Sequence, residues 1–261
     1  MYSRFEVCYN KAMKITFLGT GTMGCSARLN TSFVIDDCIL VDIGNGVLNQ
    51  LRANKLDVKD IKTLIVTHYH ADHFGDIVNY LFRKDCLSKD KLTIITPGGG
   101  AQKIRALCDV LAEGIGYDVL VANNVEIVEL GDGQSYKNKT AEITAFAVNH
   151  GIPNCNGYII KRGGKTIGCG GDTAMCDNLG GKIKSADTWV LESSGLTPKQ
   201  AESSHTSFGQ IEHLAALYPQ KTFYVVHRRD YDVKDHAKNI VLPSDNQTVI
   251  VSLGIADMTV D

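Results

Sequence analysis

Four side chains able to bind divalent metals stand within six residues, His68-Tyr69-His70-Ala71-Asp72-His73, directly after the apolar segment Ile61-Lys62-Thr63-Leu64-Ile65-Val66-Thr67. The chemistry this pattern points to is hydrolysis at a pair of metal ions. A strand places residues i and i+2 on one face, so His68 and His70, delivered at the strand's carboxyl end, can grip one ion together. The chain then turns into a helical pattern, with Phe74, Ile77, Val78, Leu81 and Phe82 at helical spacing. Asp72 and His73 therefore project in another direction and can serve a second ion. A mixed nitrogen and oxygen donor set favours zinc, manganese or iron over calcium or magnesium.

Further donors arrive where apolar strands stop. His150 follows Ile143-Thr144-Ala145-Phe146-Ala147-Val148, Asp172 follows Thr166-Ile167-Gly168-Cys169-Gly170-Gly171, and His227 follows Phe223-Tyr224-Val225-Val226. Each alone reads equally well as a hydrogen-bonded strand-end residue. Together with the first run they make seven ligand-type side chains on a rigid scaffold.

The elements that must position them are short strands with polar turns and a few helices. Strands are expected near 14–18, 32–36, 38–42, 63–67, 92–96, 125–129, 142–148, 157–162, 165–169, 187–192, 222–226 and 248–253, and helices near 45–54, 73–84, 100–113 and 207–217. Asp36-Asp37 and Gly163-Gly164 read as hairpin turns. No low-complexity linker interrupts the chain, so residues 1–261 read as one α/β domain, with 1–12 as an N-terminal extension. Ser207 and Gln210 fit a capping box that would fix His205 at a helix entrance. Pro97-Gly98-Gly99-Gly100 reads as a loop entry to a helix, with a phosphate cradle as the alternative. His213 and His236 read as surface residues.

The formal net charge of −2 gives no general attraction for nucleic acid or anionic membrane. Eight cysteines lie scattered without a Cys-x-x-Cys pair, which suits reduced thiols and a cytoplasmic protein. Most read as small core residues, Cys169 and Cys176 among them, although that pair flanks Asp172. The first residues carry charges at Arg4, Glu6 and Lys11 and do not read as a signal peptide, and no apolar run approaches a membrane span. Tyr80-Leu81-Phe82 and Ile255-Ala256 offer apolar surface for a homodimer, with core burial the simpler account.

The His-x-His-x-Asp-His run, followed in order by His150, Asp172 and His227, resembles the metallo-β-lactamase superfamily. The resemblance implies an αββα four-layer sandwich of two mixed β-sheets with helices on the outer faces. It implies His68, His70 and His150 at a first metal, Asp72, His73 and His227 at a second, and Asp172 bridging both. Asp42, in Ile39-Leu40-Val41-Asp42-Ile43-Gly44, resembles the family's early strand-end aspartate that orients the histidines; a turn or capping role is the alternative. Phe17-Leu18-Gly19-Thr20-Gly21 with Arg28-Leu29-Asn30-Thr31-Ser32, and Ser203-Ser204-His205-Thr206-Ser207-Phe208-Gly209-Gln210, resemble the phosphodiesterase branch that includes tRNase Z. The matching histidine of that branch faces the scissile phosphate with a carboxylate behind it, which implies those roles for His205 and Glu192.

One departure bears on substrate. The tRNA-processing members carry a long tRNA-clamping arm between the third histidine and the bridging aspartate, whereas here a hairpin separates His150 from Asp172. The expectation is therefore a dinuclear hydrolase, loaded with two divalent ions, zinc first and Mn2+ or Fe2+ next, that cleaves a cyclic or short phosphodiester. Asp72, His205 and Glu192 form its expected catalytic set, with His205 assisting the leaving group. A tRNA 3′-processing endoribonuclease, a carbonyl ester hydrolase acting on a lactone or thioester, and a metal-binding module without catalysis are the alternatives. Long nucleic acid is the disfavoured partner.

Overall fold

The computed structural model describes residues 12–121, 124–231 and 233–251. Two seven-stranded sheets face each other. The first has the order β14-β1-β2-β3-β4-β5-β6, built from β1 (Met13–Gly19), β2 (Ser32–Ile35), β3 (Ile39–Val41), β4 (Thr63–Ile65), β5 (Leu92–Thr96), β6 (Val125–Glu129) and β14 (Gln247–Val251). The second has the order β13-β12-β11-β10-β9-β8-β7, from β7 (Ser135–Lys137), β8 (Glu142–Ala147), β9 (Asn156–Arg162), β10 (Lys165–Cys169), β11 (Thr188–Glu192), β12 (Thr222–Val226) and β13 (Ile240–Val241). Each sheet opens with antiparallel hairpins and continues in parallel, from β3 to β6 in one and from β10 to β13 in the other. Parallel strands need crossovers, and the connecting helices cover the outer faces.

The packing follows from strand patterns apolar on both faces. Ile15, Phe17, Phe33, Ile65, Ile95, Ile143, Tyr158, Ile160, Val190 and Tyr224 fill the space between the sheets. Leu40, Leu64 and Ile94 turn outward under α1 (Val47–Ala53), α3 (Ile77–Leu87), α4 (Gly100–Leu111) and α5 (Tyr117–Val121). Trp189, Phe223 and Val225 do the same under α6 (Asp177–Lys182) and α8 (Phe208–Leu217). Four layers result, as the αββα expectation required. The expected strands are present within one or two residues of their bounds, though residues 252–253 of the last one lie outside the described residues, as do Cys8, residues 1–11 and Ile255-Ala256.

Both expected hairpin turns are observed. Asp36, Asp37, Gly163 and Gly164 all have positive φ, the backbone such turns require. Other expectations are corrected. The helix expected at 73–84 is divided into α2 (Ala71–Phe74) and α3, because the amide of Ile43 takes the carbonyl of His73 at 2.8 Å and the carbonyl of Ile43 takes the amide of Asp76 at 3.0 Å. Phe82, counted on its apolar face, is exposed, while Tyr80 and Leu81 are buried. The short elements β7, β13, α5, α6 and α7 (Pro198–Ala201) were not expected. The glycine-rich segment before α4 is a loop entry: the amides of Gly99 and Ala101 both donate to the Glu129 carboxylate at 2.9 Å, which fills the position a phosphate would take.

Candidate metal centre

Every candidate ligand sits at the same end of the sandwich, just past the carboxyl ends of strands from both sheets. His68 and His70 follow β4, Asp72 and His73 lie on the turn of helix α2, His150 follows β8, Asp172 follows β10 and His227 follows β12. The strand-end loops are locked across the sheets. The amide of Asn156 donates to Thr67 O at 3.0 Å, and the amide of His227 donates to Thr31 Oγ1 at 3.0 Å. Gly171, beside Asp172, has φ +62°, and a Cβ there would meet Thr67 Cβ at 2.9 Å, so the turn carrying Asp172 requires glycine. Asp42 and His227 are themselves held at φ +60° and +53°, a left-handed backbone that persists only where neighbours over-determine it.

Four overlapping groups of donor atoms result among the described residues, two of them made of the expected ligands alone and two that include His205. His70 Nδ1 lies 3.0 Å from His68 Nε2 and 3.1 Å from His150 Nε2. Asp72, His73, Asp172 and His227 form a second, fully buried group, with His227 Nε2 3.3 Å from Asp72 Oδ2 and 3.0 Å from Asp172 Oδ2. Asp172 Oδ2 joins the groups, at 3.4 Å from His73 Nε2, 3.9 Å from His68 Nε2 and 3.8 Å from His150 Nε2. The structure thus brings all seven expected ligand side chains together at one place. The buried atoms Asp72 Oδ1 and His73 Nε2 have no hydrogen-bond partner. Buried polar atoms are rarely left so, and a divalent cation among these nitrogens and carboxylate oxygens fits the donor set.

The atoms turned away from the centre are also held. His73 Nδ1 meets Asp42 Oδ2 at 2.7 Å, and Asp42 in turn accepts from the amide and hydroxyl of Thr67. Asp42 therefore orients one histidine, His73; the others have different supports. His68 Nδ1 faces Thr67 Oγ1 at 3.1 Å, His150 Nδ1 faces the carbonyl of Ser204 at 3.1 Å, and His227 Nδ1 faces Ser194 Oγ at 3.0 Å. Such outer partners fix the tautomer that a ligand presents.

Electrostatics divide the two groups. Burial, with the charge of His73 beside it, holds His68 well below the ordinary imidazole range, and burial with His150 lowers His70. Burial also works against a charge on His73, but Asp172 and Asp42 outweigh it and hold that imidazole well above its usual value. His227 follows the same logic: burial lowers it, while Asp172 and the hydrogen bond to Asp72 raise it to about 9. Burial works to raise Asp72, yet the His227 hydrogen bond and the charge of His73 bring it to about 2. Burial thus disfavours a charge on His68 and His70 without metal, and the carboxylate group stores protons.

His205 stands beside these groups where the capping box of α8 holds the chain, the Ser207 amide donating to Gln210 Oε1 at 2.9 Å. Its Nδ1 lies 2.8 Å from Glu192 Oε1, and Glu192 is buried at the end of β11, accepting also from the Thr173 amide at 2.7 Å. His205 lines a cavity of about 420 Å³ with His70, Asp72, His150, Asp172 and His227 on its floor and Thr22, Met23, Cys25, Arg229 and Asp230 on its walls. His213 and His236 are exposed, Cys169 is buried in the core and Cys176 is half-buried. Sequence reasoning missed Thr67, Thr173 and Ser194.

The family model of the beta-lactamase superfamily domain matches residues 38–228. Ribonuclease Z of Pyrococcus horikoshii is 28% identical over 154 residues, which cover 57% of this chain and 48% of that protein. The chain spans about half to two thirds of the length of the curated relatives it matches. Among solved structures, the metallo-beta-lactamase fold protein YhfI from Bacillus subtilis has a TM-score of 0.76 at 17% identity, covering 92% of this chain and 100% of that one. The short form of human tRNase Z has a TM-score of 0.72 at 22% identity, covering 93% and 100%. At such identities these structures speak for the fold, whereas the family match runs from just before Asp42 to just past His227 and so takes in the whole centre. The chain belongs to the metallo-β-lactamase superfamily.

Proposed function

We propose that this protein is a dinuclear metal-dependent phosphodiesterase acting on a cyclic or short phosphodiester. The observation that carries the reading is the pair of donor groups sharing Asp172 Oδ2, with the Glu192-held His205 on the wall of the same cavity. His68, His70 and His150 would hold one divalent ion, Asp72, His73 and His227 a second, and Asp172 both. When bound, such ions supply Lewis acidity, neutralising phosphoryl oxygens and making water a nucleophile at neutral pH. Asp42 keeps Nε2 of His73 turned inward. Glu192, by accepting from Nδ1, leaves Nε2 of His205 as the ring nitrogen that meets substrate; in its imidazolium form the ring hands the Nε2 proton to the leaving alkoxide and ends neutral.

Size and charge support a small substrate. The cavity is within the range of small-molecule sites, the segment between β8 and Asp172 is taken up by the β9–β10 hairpin, and the net charge is −2. A long phosphate backbone is ordinarily captured by many cations. The likeness to proteins named ribonuclease Z favours a second reading, RNA 3′-end processing by the same chemistry. Metal-loaded protein should hydrolyse 2′,3′-cyclic nucleotides and leave a precursor tRNA uncut; cleavage of the tRNA alone would exchange the two readings. Turnover of a lactone with none of any diester would defeat both.

A further inference from the structure

Ser194 is fully buried, and its hydroxyl is the meeting point of the centre. Oγ lies 2.9 Å from Glu192 Oε2, 3.0 Å from His227 Nδ1 and 3.2 Å from His205 Nδ1. A serine hydroxyl has one proton to give and two lone pairs. His227 turns Nε2 toward Asp72 and Asp172, and whether a proton or a cation sits there, Nδ1 keeps its own proton and donates it to Ser194 Oγ. Ser194 then gives its own proton to Glu192 Oε2, because a carboxylate can only accept. Glu192 receives His205 Nδ1–H and the Thr173 amide on Oε1. Every bond in the series runs in one direction, from His227 through Ser194 to Glu192, and meets the bond from His205 there.

We infer that Ser194 is a positioning residue that holds Glu192 on His205 by standing between Glu192 and His227. Glu192 Oε2 is 3.0 Å from His205 Nδ1 and 3.8 Å from His227 Nδ1, so the two rings face the same oxygen. With the hydroxyl removed, His227 Nδ1–H is left without its partner, and Glu192 Oε2 can answer it by moving off His205 Nδ1, which loosens the two-oxygen contact that holds the His205 ring. The chain of contacts thereby ties a candidate metal ligand to the proton donor, although Ser194 touches neither substrate nor cation.

This inference rests on the phosphodiesterase reading for its kinetic consequence but not for its structural one. A departing p-nitrophenolate needs little protonation, whereas the ribose alkoxide released from a 2′,3′-cyclic nucleotide needs it. At saturating metal, Ser194→Ala should lower kcat on the cyclic nucleotide by about tenfold to a hundredfold, toward the usual worth of a positioned acid, and lower bis(p-nitrophenyl) phosphate turnover by a smaller factor that reports its support of His227. Ser194→Thr, which keeps the hydroxyl, should retain both rates. In metal-free, 15N-labelled protein, the His205 Nδ1–H resonance should be protected in the parent and Thr chains and lost to exchange in the Ala chain. Equal losses on both diesters with the resonance intact would overturn the inference, since Ser194 would then support His227 alone. If the parent hydrolyses neither diester, the functional reading fails while the imidazole resonance still decides the role of Ser194.

Discussion

On the proposed reading Asp172 and His205 divide the work of the site, and substitution should separate them. Asp172→Ala removes the oxygen common to both donor groups, so bound metal should fall from two ions per chain to one or none. His205→Ala should keep its metal and lose about two to four orders of magnitude in kcat on an alkoxide-leaving diester. Elemental analysis beside initial rates checks the pair; equal metal loss in both variants would refute the division. Asp42→Asn should weaken metal binding about tenfold to a hundredfold through His73, read by chelator competition. Acidity offers a further test. His73 sits well above the imidazole range and His227 at about 9, so below that pH both carry protons that an arriving cation must displace. Affinity at the carboxylate group should therefore fall as pH drops from 9 toward 6, by about tenfold per unit for each proton displaced. His68 and His70, lowered by burial, should hold their ion with little change over that window. Isothermal titration across pH would show a single shared slope if this reasoning is wrong.

Strands and turns set how accurately those residues are placed. Gly44 follows Asp42 at the end of β3, and a Cβ there would run into the carbonyl of Asp72. Gly44→Ala should destabilise the fold by about 1–3 kcal/mol, the usual cost of overpacking, and weaken binding at the carboxylate group; melting curves and metal content test both. Most of this level was legible in the sequence. The strand ends carrying His150, Asp172 and His227 announced themselves because apolar runs stop where polar ligands begin, and the Ser207–Gln210 capping box marked the helix behind His205. The α2–α3 break was not legible, since it comes from Ile43, some thirty residues earlier in the chain, entering the helical hydrogen-bond ladder. Nor were β7 and β13, two or three residues long at sheet edges, where pairing with β8 and β12 rather than their own pattern makes them strands. Ser194 escaped for a similar reason: only the folded chain brings it between Glu192 and His227.

The whole molecule presents the centre as a seam between two sheets, with ligands from both. No helix among the described residues is long and apolar enough to cross a membrane. Cations bound only by the folded seam should stabilise it by mass action. At free metal a thousandfold above Kd the gain is about 4 kcal/mol, so chelation should lower Tm by on the order of 10 °C. An unchanged Tm by scanning fluorimetry would place the metals outside the fold's energetics. The most direct test of the central claim is a titration of metal-stripped protein with zinc while following hydrolysis of a 2′,3′-cyclic nucleotide. The account predicts activity that rises to a plateau at two ions per chain, with His205→Ala binding the same two ions and turning over far more slowly. A plateau at one ion, or two bound ions with no diester hydrolysed, would contradict it.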